Sequence, residues 1–171
     1  MDEVLQKKAD KAEQRARQYF REGLNCSECV LRSFLDVNDI DLPDEIIALA
    51  SGYGGGMGQT RNTCGAINGA MLAIGTVRGR RNPFAVPDTE GRIKEVREVY
   101  KPFRAFIEHL QEEYGTLNCM ELSAPWKDDF GGKPRKKNCQ KIIGHCAALA
   151  VEYSAWQPGP EGLETVTKQE N

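Results

Sequence analysis

Between Cys64 and Val77, glycine or alanine recurs every four residues, at Gly65, Gly69 and Ala73, with Ala66 and Ala70 in step beside them. On a helix, residues four apart share a face, so this spacing leaves one face nearly bare of side chains while Ile67, Met71 and Ile74 supply bulk on another. Neighbouring backbones can come unusually close to such a helix, which places it at the centre of a packed helical body. A membrane helix can carry the same pattern, but this stretch is too short to span and is flanked by Arg61, Arg78, Arg80 and Arg81.

The rest of the chain reads as helices around that centre. Residues 4 to 22, rich in Ala, Gln, Glu, Lys and Arg, form an amphipathic helix ending at Gly23. Cys26 to about Val37 follows, with Asn25 and Glu28 in capping-box spacing and Val30, Phe34 and Val37 on one stripe. A short helix from Asp44 to Ala50 precedes Gly52 to Gly58, where five glycines in seven residues demand a loop. Asp88 caps a long helix to about Tyr114, with a kink or break expected near Tyr100 because Pro102 falls inside it. Cys119 opens a short turn, residues 124 to 137 read as a long loop, and Cys139 to about Trp156 as a final amphipathic helix. No period-2 strand pattern and no internal repeat is present. The expected fold is therefore all-α, an irregular bundle of about five to six helices with the glycine-rich loop before the central one. Residues 1 to 156 make the expected single helical domain, and 157 to 171 a disordered polar tail.

The chemistry lies in the cysteines. Three of the six follow asparagine directly, at Cys26, Cys119 and Cys139, and Cys64 follows Thr63. Asn and Thr favour the N-cap, so each of these four thiols is expected at or near a helix start, where backbone N–H groups and the helix dipole lower a thiol's pKa. Thiolates ligate metals, hold iron–sulfur clusters and attack disulfides. A net charge of −2 gives no general drive toward nucleic acid or an anionic membrane, the N-terminus lacks a secretory apolar core, and no apolar run spans a bilayer. The expectation is a cytoplasmic protein, and in that compartment six cysteines point to metal binding or catalysis rather than a disulfide framework.

The order of Cys26, the segment Cys64-Gly65-Ala66-Ile67-Asn68-Gly69 after a glycine-rich loop, Cys119 and Cys139 resembles the pattern of the C_GCAxxG_C_C family of redox-active proteins, over roughly Gly23 to Tyr153. One departure is that the label spells Gly-Cys-Ala, whereas this chain reads Thr63-Cys64-Gly65-Ala66. The resemblance implies a small redox-associated protein with a redox partner, of a kind encoded near oxidoreductases or transporters.

Four thiolates can hold zinc in a closed tetrahedral site or an iron–sulfur cluster. The wide sequence separation means that the tertiary fold assembles the site. Helix dipoles and glycine N–H groups, with Gly54, Gly55, Gly56, Gly58 and Gly65 as the cofactor-facing candidates, suit a large anionic object and favour iron–sulfur over zinc. Thiol–disulfide exchange is the rival, through Cys26 and Cys29, which make Cys-x-x-Cys at a helix start, or through pairs among the four. A third reading is a structural zinc or regulatory helical protein with inert thiols. Cys146 reads as a buried small hydrophobe, and His109 and His145 as single helix residues, with His145 the better ligand candidate because it adjoins Cys146. Lys133, Arg135, Lys136 and Lys137 read as a solvated loop, or as charges that favour the Cys139 thiolate and steer an acidic partner. The glycine run lacks the Lys-Ser/Thr ending of a P-loop, which argues against nucleotides. No acid/base pair is evident, and a homodimer stays open.

Overall fold

The computed structural model describes residues 2 to 155 and Gln157, so the expected tail lies almost wholly outside the described residues. The fold is all-α. Six α-helices run in the order α1 (Glu3–Arg21), α2 (Cys26–Val37), α3 (Gly65–Arg78), α4 (Thr89–Tyr114), α5 (Cys119–Leu122) and α6 (Lys133–Ser154). Three 3-10 segments, Asp44–Tyr53, Pro83–Ala85 and Ala124–Trp126, punctuate them. Among the described residues the extended pairing is a single isolated bridge between Thr63 and Asn118. No helix among them is long and apolar enough to cross a membrane.

Local signals explain most of the boundaries. Asp2 caps α1 by accepting from the Val4 N–H, and Gly23, at φ 102°, turns the chain out of it. Asn25 caps α2 with a complete capping box: its Oδ1 accepts from the Ser27 and Glu28 amides, and the Glu28 carboxylate accepts from the Asn25 N–H at 3.0 Å. Asp88 caps α4 through the Gly91 N–H, and Gly115, in the left-handed region, ends it. The expected break near Tyr100 does not occur, because α4 continues unbroken across Pro102, whose ring is buried against the bundle. Burial there offsets the hydrogen bond that the missing N–H forfeits.

The central position of α3 is realised physically. A β-carbon on Gly69 would lie 2.6 Å from the Ser27 carbonyl oxygen, so α2 and α3 meet backbone to backbone. Ala66, Ile67, Ala70, Ala73 and Ile74 are fully buried. α1, which packs on α6 and α2, buries a stripe of Ala9, Ala12 and Ala16, each with no exposed surface. Gly144 on α6 admits Arg17 and Glu13 to positions a β-carbon would occupy. α4 is the outermost long helix, burying Pro102, Phe106 and Leu110 and stacking Phe106 edge-on against Tyr153 of α6. Burial of side chains of that size contributes roughly 1.5–3 kcal/mol each.

α6 starts six residues earlier than its cysteine suggests. The helix begins at Lys133, with Pro134 in its first turn, where a proline's missing N–H costs nothing. The stretch read as a loop over 124 to 137 is thus a 3-10 turn, a short loop and the first turn of a helix. Asn138 caps nothing; its Nδ2 donates to the Leu122 carbonyl at 3.2 Å and ties α6 to the end of α5.

Candidate cysteine centre

Cys26, Cys64, Cys119 and Cys139 line one small enclosed cavity together with Leu122, Ser123, Arg135, Ile142 and Ile143. Four elements deliver them. Cys26 is the first residue of α2 and Cys119 the first of α5, each behind its asparagine cap; Cys64 occupies the cap position of α3 itself. Cys139 arrives from the second turn of α6 rather than from a helix start. All six cysteines are free thiols.

The loop 54–62 holds this arrangement by hydrogen bonds made before any ligand is considered. Its Arg61 and Asn62 amides donate back to the Gly55 and Gly56 carbonyls, and the Asn62 and Arg61 carbonyls accept from the Cys119 and Met120 amides at 2.7 and 3.1 Å. The Cys64 amide donates to the Leu117 carbonyl at 2.9 Å. Gly56, at φ 76°, brings this loop so close that a β-carbon would stand 2.8 Å from the Cys119 β-carbon. A β-carbon on Gly65 would meet the Tyr53 carbonyl at 2.7 Å and the Cys26 β-carbon at 3.1 Å, and one on Gly54 the Asn25 side chain at 2.8 Å. Of the five glycines expected to face a cofactor, Gly55 hydrogen-bonds the Cys26 sulfur through its amide. Gly54, Gly56 and Gly65 serve close packing, and Gly54, Gly55 and Gly58 line the adjoining cleft.

Helix backbone does not depress the thiols of Cys26, Cys64 and Cys139. Burial pushes Cys26 up to about 11, reinforced by Cys139 and opposed by the Gly55 amide. Burial pushes Cys64 up to about 12, reinforced by Cys26 and opposed by the Ala66 and Ile67 amides. Cys139 is also raised by burial, with Arg135 and the Ser123 hydroxyl pulling it down. The expectation of lowered thiol pKa values is corrected at these three: loss of water outweighs the backbone dipoles, and neighbouring sulfurs repel a charge there. The amides and Arg135 still mark where negative charge is welcome once a cation accompanies it.

The enclosed part of the cavity is only about 10 Å³, but it adjoins an open cleft of about 610 Å³. The two spaces share Cys26, Cys139 and Arg135, which form the seam between them. Arg135 and Arg61 both lie over the Phe130 ring, at 3.5 and 3.8 Å from its centroid, so two guanidinium groups border the cleft. Arg135 Nε is buried without a partner, while its Nη1 donates to the Phe130 carbonyl at 2.9 Å. Lys133, Lys136 and Lys137 flank a neighbouring groove with Phe20 and Gln140. Arg135 alone of that basic run reaches the thiols.

Other sequence candidates stand elsewhere. Cys29 is fully buried, its sulfur 3.5 Å from the Leu24 carbonyl, and it does not line the cavity. Cys146 is fully buried in the core, where burial pushes its thiol far up. His145 faces Glu113, Tyr114 and His109. Residue-by-residue reading missed Arg61, Phe130 and Ser123. The cation–aromatic pairing could be found only in three dimensions, and Ser123 carries no local signal beyond its place after α5.

Fold and site together define an all-α protein whose cysteines meet across four helical elements beside a basic cleft. The chain belongs to the C_GCAxxG_C_C family, described as "Putative redox-active protein (C_GCAxxG_C_C)", which matches residues 24–153. It is 23% identical over 147 residues to an uncharacterized protein of Archaeoglobus fulgidus, covering 84% of this chain and 93% of that one. No solved structure matches.

Proposed function

We infer that Cys26, Cys64, Cys119 and Cys139 together hold an iron–sulfur centre that passes electrons to a redox partner. The observation that carries this reading is their convergence on one cavity with hydrogen-bond donors already aimed at sulfur from Gly55, Ala66, Ile67 and Ser123. No three of the sulfurs lie within 4.8 Å of one another, whereas one tetrahedral zinc with bonds of about 2.3 Å sets its sulfurs about 3.8 Å apart. The wider spacing, and the seam where Cys26 and Cys139 meet the cleft, suit a larger centre. Arg135, with its orphaned Nε at that seam, supplies a donor and a charge for an anionic group. When bound, such a centre supplies one-electron redox chemistry. The chain's own part is to lose the thiol protons on loading, to exclude water on the side of Ile142 and Ile143, and to tune the potential through donors to sulfur.

Thiol–disulfide chemistry is the second reading, favoured by one observation: Cys26 and Cys139 are the two thiols that border both the cavity and the cleft. Their raised pKa values oppose it, since the thiolate is the nucleophile.

Anaerobic reconstitution with iron and sulfide tests both readings. Broad visible absorption with iron and acid-labile sulfide in fixed ratio, lost in Cys64→Ser, is the expected result. One colourless zinc per chain, or a reversible two-thiol oxidation with no iron uptake, would overturn the iron–sulfur reading. The second of these outcomes would establish the dithiol reading instead.

A further inference from the structure

We propose that His109, Glu113 and His145 form a binding site for a divalent transition-metal cation that clamps α4 onto α6. This inference uses none of the residues of the cysteine centre and stands or falls separately from it. His109 and Glu113 are four residues apart on α4 and so share a face, and His145 comes from α6 across the helix interface. One nitrogen from each imidazole and one carboxylate oxygen lie within 4.8 Å of one another.

The two imidazole-to-carboxylate distances are those of ligands around a metal. His145 Nε2 is 2.9 Å from Glu113 Oε2, and His109 Nε2 is 3.6 Å from the same oxygen. Bonds of about 2.1 Å from one ion give ligand-to-ligand edges of about 3.0 Å in octahedral and about 3.4 Å in tetrahedral geometry, so both edges to Glu113 lie within a few tenths of an ångström of those values, and the nitrogen-to-nitrogen edge is within 4.8 Å. A ring held from behind is a further property of such sites. His109 Nδ1 lies 2.9 Å from the Tyr153 hydroxyl, which orients the imidazole and leaves Nε2 turned toward Glu113.

Charge and exposure agree. Among the described residues, the ion-pair partners of Glu113 are the two imidazoles, with no Lys or Arg committed to it. The Glu152 carboxylate interacts electrostatically with both imidazoles and adds a second negative charge beside the site. The three side chains are 34–40% exposed, so water can complete the coordination shell. Two imidazoles and one carboxylate suit borderline ions such as Zn²⁺, Co²⁺, Ni²⁺ or Fe²⁺ rather than Ca²⁺ or Mg²⁺.

The chain has two histidines in all, so untagged ¹⁵N-labelled protein displays the two imidazoles of this site and no others. Titration of the full, reduced chain with Zn²⁺, followed by imidazole ¹⁵N resonances, reads the site directly whatever the thiols bind. Both imidazoles should shift together and saturate with one further equivalent of metal. Glu113→Gln should weaken that step about tenfold or more, and His145→Gln should abolish the shift at His109. Zn²⁺ to millimolar concentration that moves neither ring, or only one, overturns the proposal, as does a Glu113→Gln protein with unchanged affinity. Far-ultraviolet circular dichroism of each variant before metal addition separates loss of the site from loss of the fold.

Discussion

Asp36 shows how a single residue can hold two elements together. Its carboxylate is only 7% exposed and accepts from Arg32 on its own helix, from Arg15 on α1 at 2.7 Å, and from the Tyr19 hydroxyl. Burial pushes its pKa up, but the bonds from Tyr19, Arg32 and Arg15 outweigh that and leave it below the ordinary value of 3.8. A depressed carboxylate contributes stability above its unfolded pKa and loses it as pH falls through the folded one. Asp36→Asn should therefore cost about 2 kcal/mol at neutral pH, and the gap between variant and parent should close at pH values below 3.8. Urea midpoints of the two proteins at neutral and acid pH check this; a gap that persists undiminished at acid pH contradicts it. At this scale the sequence was partly legible. Asn25 and Asn118 announced the caps that place Cys26 and Cys119. The sequence could count amides near a thiol but not the water removed from it, so the direction of the pKa shift came out reversed at Cys26, Cys64 and Cys139. Asn138 misled because Lys133 and Pro134 offered an earlier start, and a helix already under way has no use for a cap.

At the scale of elements, the loop 54–62 and its glycines decide where Cys119 can stand. Gly56 and Gly58 have similar positive φ angles, 76° and 65°, so alanine at either meets the same backbone penalty of about 1 kcal/mol. They differ in what a β-carbon would meet. At position 56 it would collide with Cys119 and the Arg61 backbone at 2.8 Å, whereas at position 58 the nearest atom is 3.9 Å away. Gly58→Ala should cost about 1 kcal/mol, and Gly56→Ala about 3 kcal/mol together with displacement of Cys119. Thermal unfolding of both variants, with reconstitution of the centre, measures the contrast; equal costs would show that the loop yields rather than the cysteine. Five glycines in seven residues were recognisable as a loop from composition. Which of them faces Cys119 depends on the ladder from Arg61 and Asn62 to Cys119 and Met120, which no spacing rule contains.

For the whole molecule, the family match begins at residue 24, yet α1 precedes it and packs closely on α6. Gln140, beside Cys139, donates to the Arg17 carbonyl at 3.0 Å. Removing residues 1–21 would uncover the face of α6 that carries Gln140 and Gly144, against which Arg17 and Glu13 now lie. The shortened chain should lose cooperative thermal unfolding and fail to take up iron; retention of both would make α1 an accessory. The all-α class and the central place of α3 were legible in the sequence, because small residues every fourth position have few other uses. The meeting of His109 with His145 was not, since those residues sit on separate helices and only the packing of α4 on α6 makes them neighbours.

Because the four thiols come from the starts of α2, α3 and α5 and from α6, the ribosome must deliver 139 residues before the last of them, Cys139, exists to join the others. Under the iron–sulfur reading proposed above, loading therefore waits until α6 has been made, and a shorter nascent polypeptide lacks the complete set of thiols.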